Sequence, residues 1–358
     1  MMQNMDNAKK RRVLHVLKSS VYSGAENVVI TIIKNLSDAF DFLYLATEGT
    51  VRERLEQEEI PFLLLKKFNR GNLARVIHEW QPDVVHAHDF SATVFCATVP
   101  GQFRLISHLH YDPPWVKRWN GKTILYLLLK NRISRVLTVS EKSFWSMIFA
   151  KHFVSKWVMV GNPIDVESIR HMAEESFPEN QEDSCDLLFV GRFVEQKDPQ
   201  RFIRLVSMLK QGGWNDIRCW MLGAGELLAE CKNMVEKMGL QQNVSIKGFQ
   251  RNPYIYMKRS KMMCITSRWE GFGLVVLEAN ILGIPVLSTP NAGCSEILGD
   301  NAEELYDTDE QCLRKIELLR QNFSEYEAWK DRAQDRAVRY DNIDKYMTKM
   351  SYIYRNEV

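Results

Sequence analysis

Short apolar runs alternate with helical patterns along the chain. The first half has six apolar runs of strand length, at residues 13–17, 42–46, 62–65, 84–86, 105–108 and 135–139. Between these runs, apolar residues recur at helical spacing, as they do at 28, 29, 32, 33 and 36. Short apolar strands separated by helices predict a parallel sheet that is covered by helices on both faces.

The alternation stops near the middle of the chain and then restarts. Residues 174–184 are polar and acidic, which is typical of a linker. Beyond them the pattern predicts strands at 186–190, 218–222, 244–247, 262–266 and 286–288, with helices between them and to the end. We therefore predict an α/β protein with two doubly wound domains, whose ligand sites lie beyond the carboxyl ends of the strands and face a central cleft.

The predicted boundaries follow from these breaks. We expect an N-terminal, acceptor-binding domain at 1–165, a linker region at 166–184 and a C-terminal, nucleotide-binding domain at 185–335. A final helical segment at 336–358 is expected to pack back toward the first domain. The length of 358 residues agrees with two domains, each large enough for its own core.

Composition narrows the class of protein. Hydrophobic residues make up 45% and charged residues 26%, which excludes a disordered or fibrous chain. No apolar run approaches the roughly 18–20 residues that span a bilayer, and the N-terminal residues lack the apolar stretch of a secretory signal. The seven cysteines are odd in number and form no C-x-x-C pair, which argues against disulfides and a zinc cluster. A cytoplasmic protein is expected.

Charge is distributed unevenly. The net charge of +2 combines +8 over residues 1–160 with −6 over the remainder. The basic half is therefore expected to meet an anionic surface or substrate. The basic residues are scattered and form no stripe, so we do not predict nucleic acid as a partner.

The densest chemical signal is the segment RWEGFGLVVLE at 268–278. Gly271 and Gly273 let the backbone approach a ligand closely, and the free amides where a helix opens near Gly273 favour a phosphate. Glu278 is a carboxylate in an apolar run, where burial costs several kcal/mol unless donors reach it. Since the apolar run at 274–282 that holds Glu278 has no Lys or Arg, ligand hydroxyls are the expected donors; solvent or a backbone amide is the alternative.

A second signal follows the predicted strand at 186–190. Asp198 is predicted to cap a helix whose first residue is Pro199. This places Arg192 and Lys197 on the loop at the carboxyl end of the strand. Two cations there suit a diphosphate, because Arg offers a planar fork of donors and Lys a point charge.

Together these segments resemble the retaining family 4 glycosyltransferases, which adopt the GT-B fold of two Rossmann-like domains. The E-x7-E motif of that family matches Glu270 and Glu278 in EGFGLVVLEA. Other matching segments are GR…EQK (191–197), GAGE (223–226), NAG with a following Glu (291–296), NPID (162–165) and PDVVHAH (82–88). The SGAE loop at 23–26 resembles the family's Gly-Gly-Ala-Glu, with Ser23 in place of the first glycine.

The resemblance implies a hexosyltransferase. It would move a hexose or N-acetylhexosamine from a nucleoside diphosphate sugar, UDP being favoured, to a glycan or lipid-linked acceptor with retention at the anomeric carbon. Synthesis of a surface polysaccharide or cell-wall glycan is the expected setting. Neither a metal nor another cofactor is expected, because fixed cations and helix-start amides can stabilise the charge that builds on the departing phosphate.

The resemblance also assigns residues. Arg192 and Lys197 would hold the diphosphate, and Glu278 would take the ribose hydroxyls. The residues assigned to donor binding are Gly24, Arg192, Lys197, Gly223, Phe249, Glu270, Gly271, Phe272, Gly273, Leu274 and Glu278. Those assigned to catalysis are Glu270, His110, Arg192 and Lys197.

Histidines are concentrated in the first domain. His110 is the predicted residue at the reacting centre, with His108 as the alternative, whereas His86 and His88 are more easily read as structural. A purely structural role for His110 is the competing interpretation. We do not predict metal binding by these histidines, because their spacing matches no known ligand set.

Two further segments have alternative interpretations. The D-x-D at 307–309 resembles a metal motif, but Thr308 and Gln311 predict a capping box for a helix at 310–319. Residues 114–122 interleave tryptophan with cations, which suits an anionic membrane surface, and an apolar run follows. That run can instead be the buried face of a helix over the sheet.

Two competing functions have weaker support. A Rossmann oxidoreductase needs G-x-G-x-x-G in the first βαβ unit, whereas the G-x-G at Gly223 and Gly225 lies late and has Leu228 at the third position. A non-catalytic nucleotide-sugar-binding protein would lack the catalytic-end residues. Here Glu270, Arg192 and Lys197 are all present.

Overall fold

The computed structural model describes residues 10–20, 24–111, 113–177 and 184–356. The chain divides into two compact units, Met1–Pro163 with Ile343–Val358, and Ile164–Asn342. Each unit is built around one parallel sheet. The predicted fold class of two Rossmann-like α/β domains is therefore confirmed.

The first unit has a seven-stranded sheet. Its strands are β1 (Arg11–Val16), β2 (Phe40–Thr47), β3 (Phe62–Leu65), β4 (Val84–His88), β5 (Arg104–Leu109), β6 (Ile133–Thr138) and β7 (Trp157–Met159). The order across the sheet is β3-β2-β1-β4-β5-β6-β7, and every pair is parallel. Its helices are α1 (Gly24–Leu36), α2 (Val51–Gln57), α3 (Arg70–Trp80), α4 (Asp89–Ala97), α5 (Gly121–Leu128) and α6 (Glu141–Trp145).

The six predicted strands of this sheet are confirmed, and a seventh was not predicted. All five residues of β4 are buried, because helices cover both faces of the sheet at its centre. Strand β7 is only three residues long and lies at the sheet edge, half-exposed. The strand lies in an apolar run of four residues at 157–160, which the sequence analysis did not assign to a strand.

The second unit has a five-stranded sheet. Its strands are β8 (Cys185–Val190), β9 (Cys219–Leu222), β10 (Val244–Gly248), β11 (Ser260–Ile265) and β12 (Val286–Ser288), in the order β10-β9-β8-β11-β12 and all parallel. Its helices are α7 (Val166–Ala173), α8 (Pro199–Gln211), α9 (Leu228–Lys237), α10 (Tyr254–Met257), α11 (Leu274–Ile281), α12 (Ala292–Leu298), α13 (Asp309–Gln321) and α14 (Phe323–Tyr340).

The segment assigned to a linker, 166–184, begins with helix α7 and lies within the second unit. The helix forms because Asp165 caps it, accepting from the Ser168 amide at 2.9 Å, and because Val166 and Ile169 are buried. Residues 178–183 of that segment lie outside the described part of the chain.

The final helix, α15 (Ile343–Arg355), belongs to the first unit. The predicted last segment began at 336, whereas α14 continues to Tyr340 in the second unit. Arg104 donates to the carbonyl oxygens of Ile353 and Tyr354 at 3.1 and 3.2 Å, and the Tyr354 ring is buried against β1 and β4. These contacts fix α15 on the first sheet.

None of the described helices combines the length and the apolar character that crossing a bilayer requires.

Candidate functional site

The predicted donor-binding residues of the second unit gather at one edge of its sheet. Because all five strands are parallel, their carboxyl ends lie at the same edge. The loops that follow β8, β9, β11 and β12 therefore meet there. These loops carry residues 191–198, 223–227, 266–273 and 289–291.

Two of the predicted residues are in direct contact. The Lys197 ammonium forms an ion pair with the Glu270 carboxylate, although the two residues come from different loops. The Ser267 hydroxyl donates to the same carboxylate oxygen at 2.7 Å. Lys197 and Glu270 are mostly buried, with 17% and 8% of their side chains exposed. The pair is therefore a preformed, largely buried polar centre at this edge of the sheet.

Backbone contacts hold these two loops together. Thr266 donates its hydroxyl to the carbonyl oxygens of Lys197 and Asp198, each at 2.9 Å. Gln196 donates to the Trp269 carbonyl at 3.0 Å, and the Arg268 amide donates to the Gln196 carbonyl at 2.8 Å. The position of Lys197 against Glu270 is thus fixed by at least four hydrogen bonds that do not involve the pair itself.

The predicted cap of α8 is confirmed. The Asp198 carboxylate accepts from the Arg201 amide at 3.2 Å, and Pro199 is the first helical residue. Asp198 has a left-handed backbone with φ of 44°, and its second carboxylate oxygen accepts from Arg268 at 3.1 Å. This ion pair stabilises the turn that carries Lys197.

Arg192 lies on the same loop but does not join the pair. Its side chain is exposed and donates to the Gln196 side-chain oxygen at 3.1 Å. Arg192 and Lys197 are therefore brought to one edge of the sheet, and Lys197 alone contacts Glu270.

Three glycines make the close packing of this edge possible. A Cβ at Gly223 would lie 1.9 Å from the Gly191 carbonyl oxygen, so the loops after β8 and β9 touch through their backbones. A Cβ at Gly293 would lie 2.6 Å from the Phe272 nitrogen. Gly273 precedes α11 with φ of 73°, a conformation that favours glycine.

Helix α11 begins four residues after Glu270, on the same loop. The first amides of a helix have no acceptor inside the helix, and they attract anions. Leu274 opens α11 and is half-buried, whereas Gly271 and Phe272 are buried immediately before it. The edge thus combines a buried ammonium, a carboxylate and the start of a helix.

Glu278 has a protein partner that the sequence analysis did not find. The Tyr254 hydroxyl, on α10, donates to its carboxylate at 3.1 Å. Desolvation raises the pKa of Glu278 to about 7, while the Tyr254 bond and the Lys197 charge act in the opposite direction. Tyr254 lies 24 residues earlier in the chain, so local spacing around Glu278 gave no signal for it.

Phe249 lies apart from these contacts. It follows β10, the edge strand, and its side chain is 60% exposed. No described contact joins it to the Lys197–Glu270 pair.

The first unit places its predicted residues at the corresponding edge of its own sheet. Gly24 opens α1 after β1, and His110 follows β5; β1, β4 and β5 are neighbouring parallel strands. Gly24 is exposed and His110 is half-buried. Ser23, the departure from the family's glycine, lies outside the described residues.

Four buried histidines and the half-buried His110 form one cluster in this unit. His15 was not singled out in the sequence, although a polar residue inside the apolar run 13–17 was the available signal. Two trios in the described part of the chain bring one ligand nitrogen each to within 4.8 Å of one another. The trios are His15, His86, His88 and His88, His108, His110.

Each trio has nitrogens close enough together to ligate one metal ion, although sequence spacing matched no ligand set. Spacing along the sequence cannot reveal these trios, because their members come from strands β1, β4 and β5 and from the segment that follows β5. Ring nitrogens of the cluster face each other at hydrogen-bonding distances of 2.8–3.2 Å. No carboxylate side chain is bonded to the rings among the described residues, whereas metal-ligating histidines usually have such a partner.

The D-x-D segment has the predicted structural role. Thr308 and Gln311 form a capping box at the start of α13. Asp309 pairs with Arg201 at 2.7 Å. The capping interpretation is confirmed.

The segment after β5 exposes apolar side chains. In α5, Thr123 and Tyr126 are buried, whereas Ile124, Leu125 and Leu128 are 48%, 43% and 74% exposed. One face of α5 is therefore buried against the core, as in one of the two interpretations, while its other face exposes apolar side chains. Exposed basic side chains lie in the same segment, at Lys117, Arg118, Lys122 and Lys130.

Comparisons with known proteins agree with this architecture. Residues 22–168 match the family model "Glycosyltransferase Family 4", and residues 172–336 match "Glycosyl transferases group 1". The two models together cover most of the chain, each on one of the structural units.

Individual relatives are distant. The capsular polysaccharide biosynthesis glycosyltransferase CapH of Staphylococcus aureus is 23% identical, over 82% of this chain and 86% of CapH. The N-acetylgalactosamine-N,N'-diacetylbacillosaminyl-diphospho-undecaprenol 4-alpha-N-acetylgalactosaminyltransferase of Campylobacter jejuni is 26% identical over 54% of this chain. The chain spans about half of that relative, 52% of its length.

A solved structure shares the fold. Anabaena HepE, crystallised in complex with UDP and glucose, superposes with a TM-score of 0.81 at 18% identity, over 97% of this chain and all of HepE. Both family models that match this chain describe glycosyltransferases, and together with these relatives they support a protein of the family 4 type.

Proposed function

We propose that the protein is a retaining, metal-independent glycosyltransferase that moves a hexose or N-acetylhexosamine from a UDP-sugar to a glycan or lipid-linked acceptor. The observation that carries this proposal is the Lys197–Glu270 pair, which joins the loops after β8 and β11 beside the start of α11. A buried cation next to free helix amides is suited to a diphosphate.

The charges fit the chemistry of sugar transfer. The bond from the anomeric carbon to the β-phosphate breaks, and negative charge builds on that phosphate while the sugar becomes cation-like. Lys197, Arg192 and the α11 amides would stabilise the phosphate, and Glu270 would lie beside the sugar. Removing one such stabilising group typically costs about 3–4 kcal/mol of activation free energy.

Retention follows from attack on the face from which the diphosphate leaves. The acceptor hydroxyl forms the new bond to the anomeric carbon, and its proton passes to the departing phosphate oxygen. This route needs no carboxylate nucleophile. NMR of the product formed from an α-linked donor tests it, since an α-glycoside is expected and a β-glycoside would contradict retention.

The donor nucleotide is proposed from Glu278 and from the comparison. Glu278 would accept the two ribose hydroxyls, in the half-buried site where Tyr254 now donates to it. HepE was crystallised with UDP and glucose, which supports UDP as the nucleotide. The Asp307–Asp309 segment is committed to the cap of α13 and to Arg201, which supports a diphosphate site without a metal.

The acceptor side is proposed to lie near an anionic membrane surface. The Campylobacter relative is named for an undecaprenol diphosphate acceptor, and CapH for capsular polysaccharide synthesis. The exposed apolar side of α5, with Lys117, Arg118 and Lys122 beside it, has the composition of a headgroup-layer contact. We therefore propose a peripheral association that brings the first unit to a lipid-linked acceptor in polysaccharide synthesis.

The deciding experiment is a thermal-shift panel of UDP-, GDP- and ADP-glucose, each with and without EDTA. One nucleotide should raise the unfolding temperature, and EDTA should leave the rise unchanged. Lys197→Ala should abolish the rise, whereas Lys210→Ala, at the opposite end of α8, should keep it. Equal rises in both variants would refute the assigned diphosphate site. A rise without transfer to any acceptor would favour a non-catalytic binding protein.

A further inference from the structure

The buried histidines of the first unit are not used by the donor site. His15 is on β1, His86 and His88 on β4, and His108 on β5. Together with His110 and with Tyr354 of α15 they form one hydrogen-bonded series. We call it the histidine–tyrosine chain, and its order is His110, His88, His15, Tyr354, His86, His108.

The first arm runs from His110 to Tyr354. His110 Nε2 lies 2.8 Å from His88 Nδ1, and His88 Nε2 lies 3.0 Å from His15 Nδ1. His15 Nε2 is 3.4 Å from the Tyr354 hydroxyl. Each interior ring therefore uses both of its nitrogens, one toward each neighbour.

The second arm continues inward from the same hydroxyl. Tyr354 Oη lies 2.8 Å from His86 Nδ1, and His86 Nε2 lies 3.2 Å from His108 Nδ1. His108 Nε2 ends the chain; it is buried and has no hydrogen-bond partner among the described residues. The other end is Nδ1 of the half-buried His110.

The number of protons in the chain restricts which ring nitrogens can carry them. Burial lowers the pKa of every histidine in the chain, to about 3 for His15 and His110, so all five rings are neutral. Each of the five rings and the phenol then carries one proton, which gives six protons in the chain. The chain has five hydrogen-bonding contacts, one fewer than the number of protons. When every contact holds one proton, the remaining proton must be at one of the two ends.

The two ends are not equivalent. A proton on His108 Nε2 would be a buried N–H without an acceptor, which is rarer in proteins than a buried lone pair without a donor. The remaining proton is therefore favoured on His110 Nδ1, at the edge of the sheet. In that arrangement all five histidines carry their proton on Nδ1.

We propose that the histidine–tyrosine chain holds His110 as a neutral hydrogen-bond donor through Nδ1, with His88 as its positioning residue. This rests on the proposed function, in which His110 lies at the reacting centre. There it would donate to an oxygen of the substrates, a sugar hydroxyl or a phosphate oxygen, and would not act as a base at neutral pH.

Tautomers can be read directly by long-range proton–nitrogen NMR of the full chain labelled with 15N-histidine, with EDTA and without substrate. Five Nδ1–H tautomers are expected for the chain. An Nε2–H tautomer at His110, or mixed tautomers within the chain, would overturn the proposal. Zn²⁺ added after EDTA removal should leave these signals unchanged; saturable shifts of His88, His108 and His110 at one equivalent would assign the cluster to a metal instead.

Variants then separate positioning from folding. His88→Phe removes the donor to His110 Nε2, so His110 should become a mixture of tautomers, and kcat should fall on the order of 10-fold with the donor KM unchanged. His88→Asn keeps an N–H near the same place and should restore both. His110→Phe should lower kcat by roughly 100-fold.

These readouts also separate this inference from the proposed function. If the tautomers are as expected but His110→Phe leaves kcat unchanged, the role of His110 at the reacting centre fails. If donor binding at Lys197 fails, the tautomer measurement is unaffected, because it uses no substrate. Loss of activity in His88→Asn as severe as in His88→Phe, with His110 still Nδ1–H, would contradict the positioning role.

Discussion

Donor binding should release a proton from Glu278. The pKa of this carboxyl is raised from its ordinary value of 4.5 to about 7, first by desolvation, so near neutral pH it is partly protonated. Two ribose hydroxyls would donate to the carboxylate and favour its ionised form. The bound state should therefore have a lower pKa, and affinity should rise with pH.

The magnitude follows from these values. With a pKa of about 7 in the free protein, Glu278 is mostly protonated at pH 6 and must lose that proton when the donor binds. The cost of removing it weakens donor binding by about tenfold at pH 6 and by almost nothing at pH 8. At pH 7 about half a proton should be released per donor bound. UDP-glucose is the suitable ligand, because its diphosphate has no group that titrates in this range.

Calorimetric titrations in buffers of different ionisation enthalpy measure both quantities. In Glu278→Gln the proton release and the pH dependence between 6 and 8 should disappear, and the affinity should be lower at pH 8. Glu236→Gln, an exposed position on α9, serves as the matched control and should behave as the native protein does. Proton release that persists in Glu278→Gln would refute the assignment of this carboxylate to the ribose.

Three further outcomes are expected. Gly223→Ala should lower the free energy of unfolding, measured by denaturant titration, by about 3 kcal/mol or more, because its Cβ would meet the Gly191 carbonyl. The control is Gly213→Ala, where φ is also positive, at 99°, but the space around the new Cβ is open. This control should lose only about 1 kcal/mol. His15 is neutral when folded, so its stabilisation is present above pH 6.5 and is lost as the pH falls toward 3; at pH 5 the loss should be about 2 kcal/mol. His15→Phe should reduce the measured fall in unfolding free energy between pH 7 and pH 5 by that amount, and the other clustered histidines, whose pKa values are lowered too, should account for the fall that remains. Leu128→Asp should weaken co-sedimentation with anionic vesicles roughly tenfold, whereas Phe323→Asp, equally exposed in the second unit, should not; equal loss in both would contradict the α5 contact.

Local chemistry in the sequence was a sufficient guide to every strand except β7 and to the caps of α8 and α13. Buried parallel strands are short apolar runs, and β3 and β12 have the bounds that those runs predicted. The caps at Asp198 and Thr308 depend on atoms within three residues, so their sequence signals were complete.

Contacts between distant segments were not predictable in the same way. Glu270 and Lys197 were each singled out, but their ion pair depends on β8 and β11 being neighbours in the sheet, which no local pattern specifies. Tyr254, the partner of Glu278, was missed for the same reason.

The histidines show most clearly that sequence patterns do not predict contacts between distant segments. His86 and His88 were read as structural and His108 as the alternative at the reacting centre, but their connection through Tyr354 depends on α15 belonging to the first unit. A contact between residues 86 and 354 has no counterpart in sequence spacing.

The central claim is that the donor occupies the carboxyl edge of the second sheet. Hydrogen–deuterium exchange with and without UDP-glucose tests this most directly. Protection should appear in residues 191–198, 223–227 and 268–278, and not in 211–218 or 239–243 at the opposite edge. Protection confined to the opposite edge, or absent from the second unit at saturating ligand, would contradict the claim.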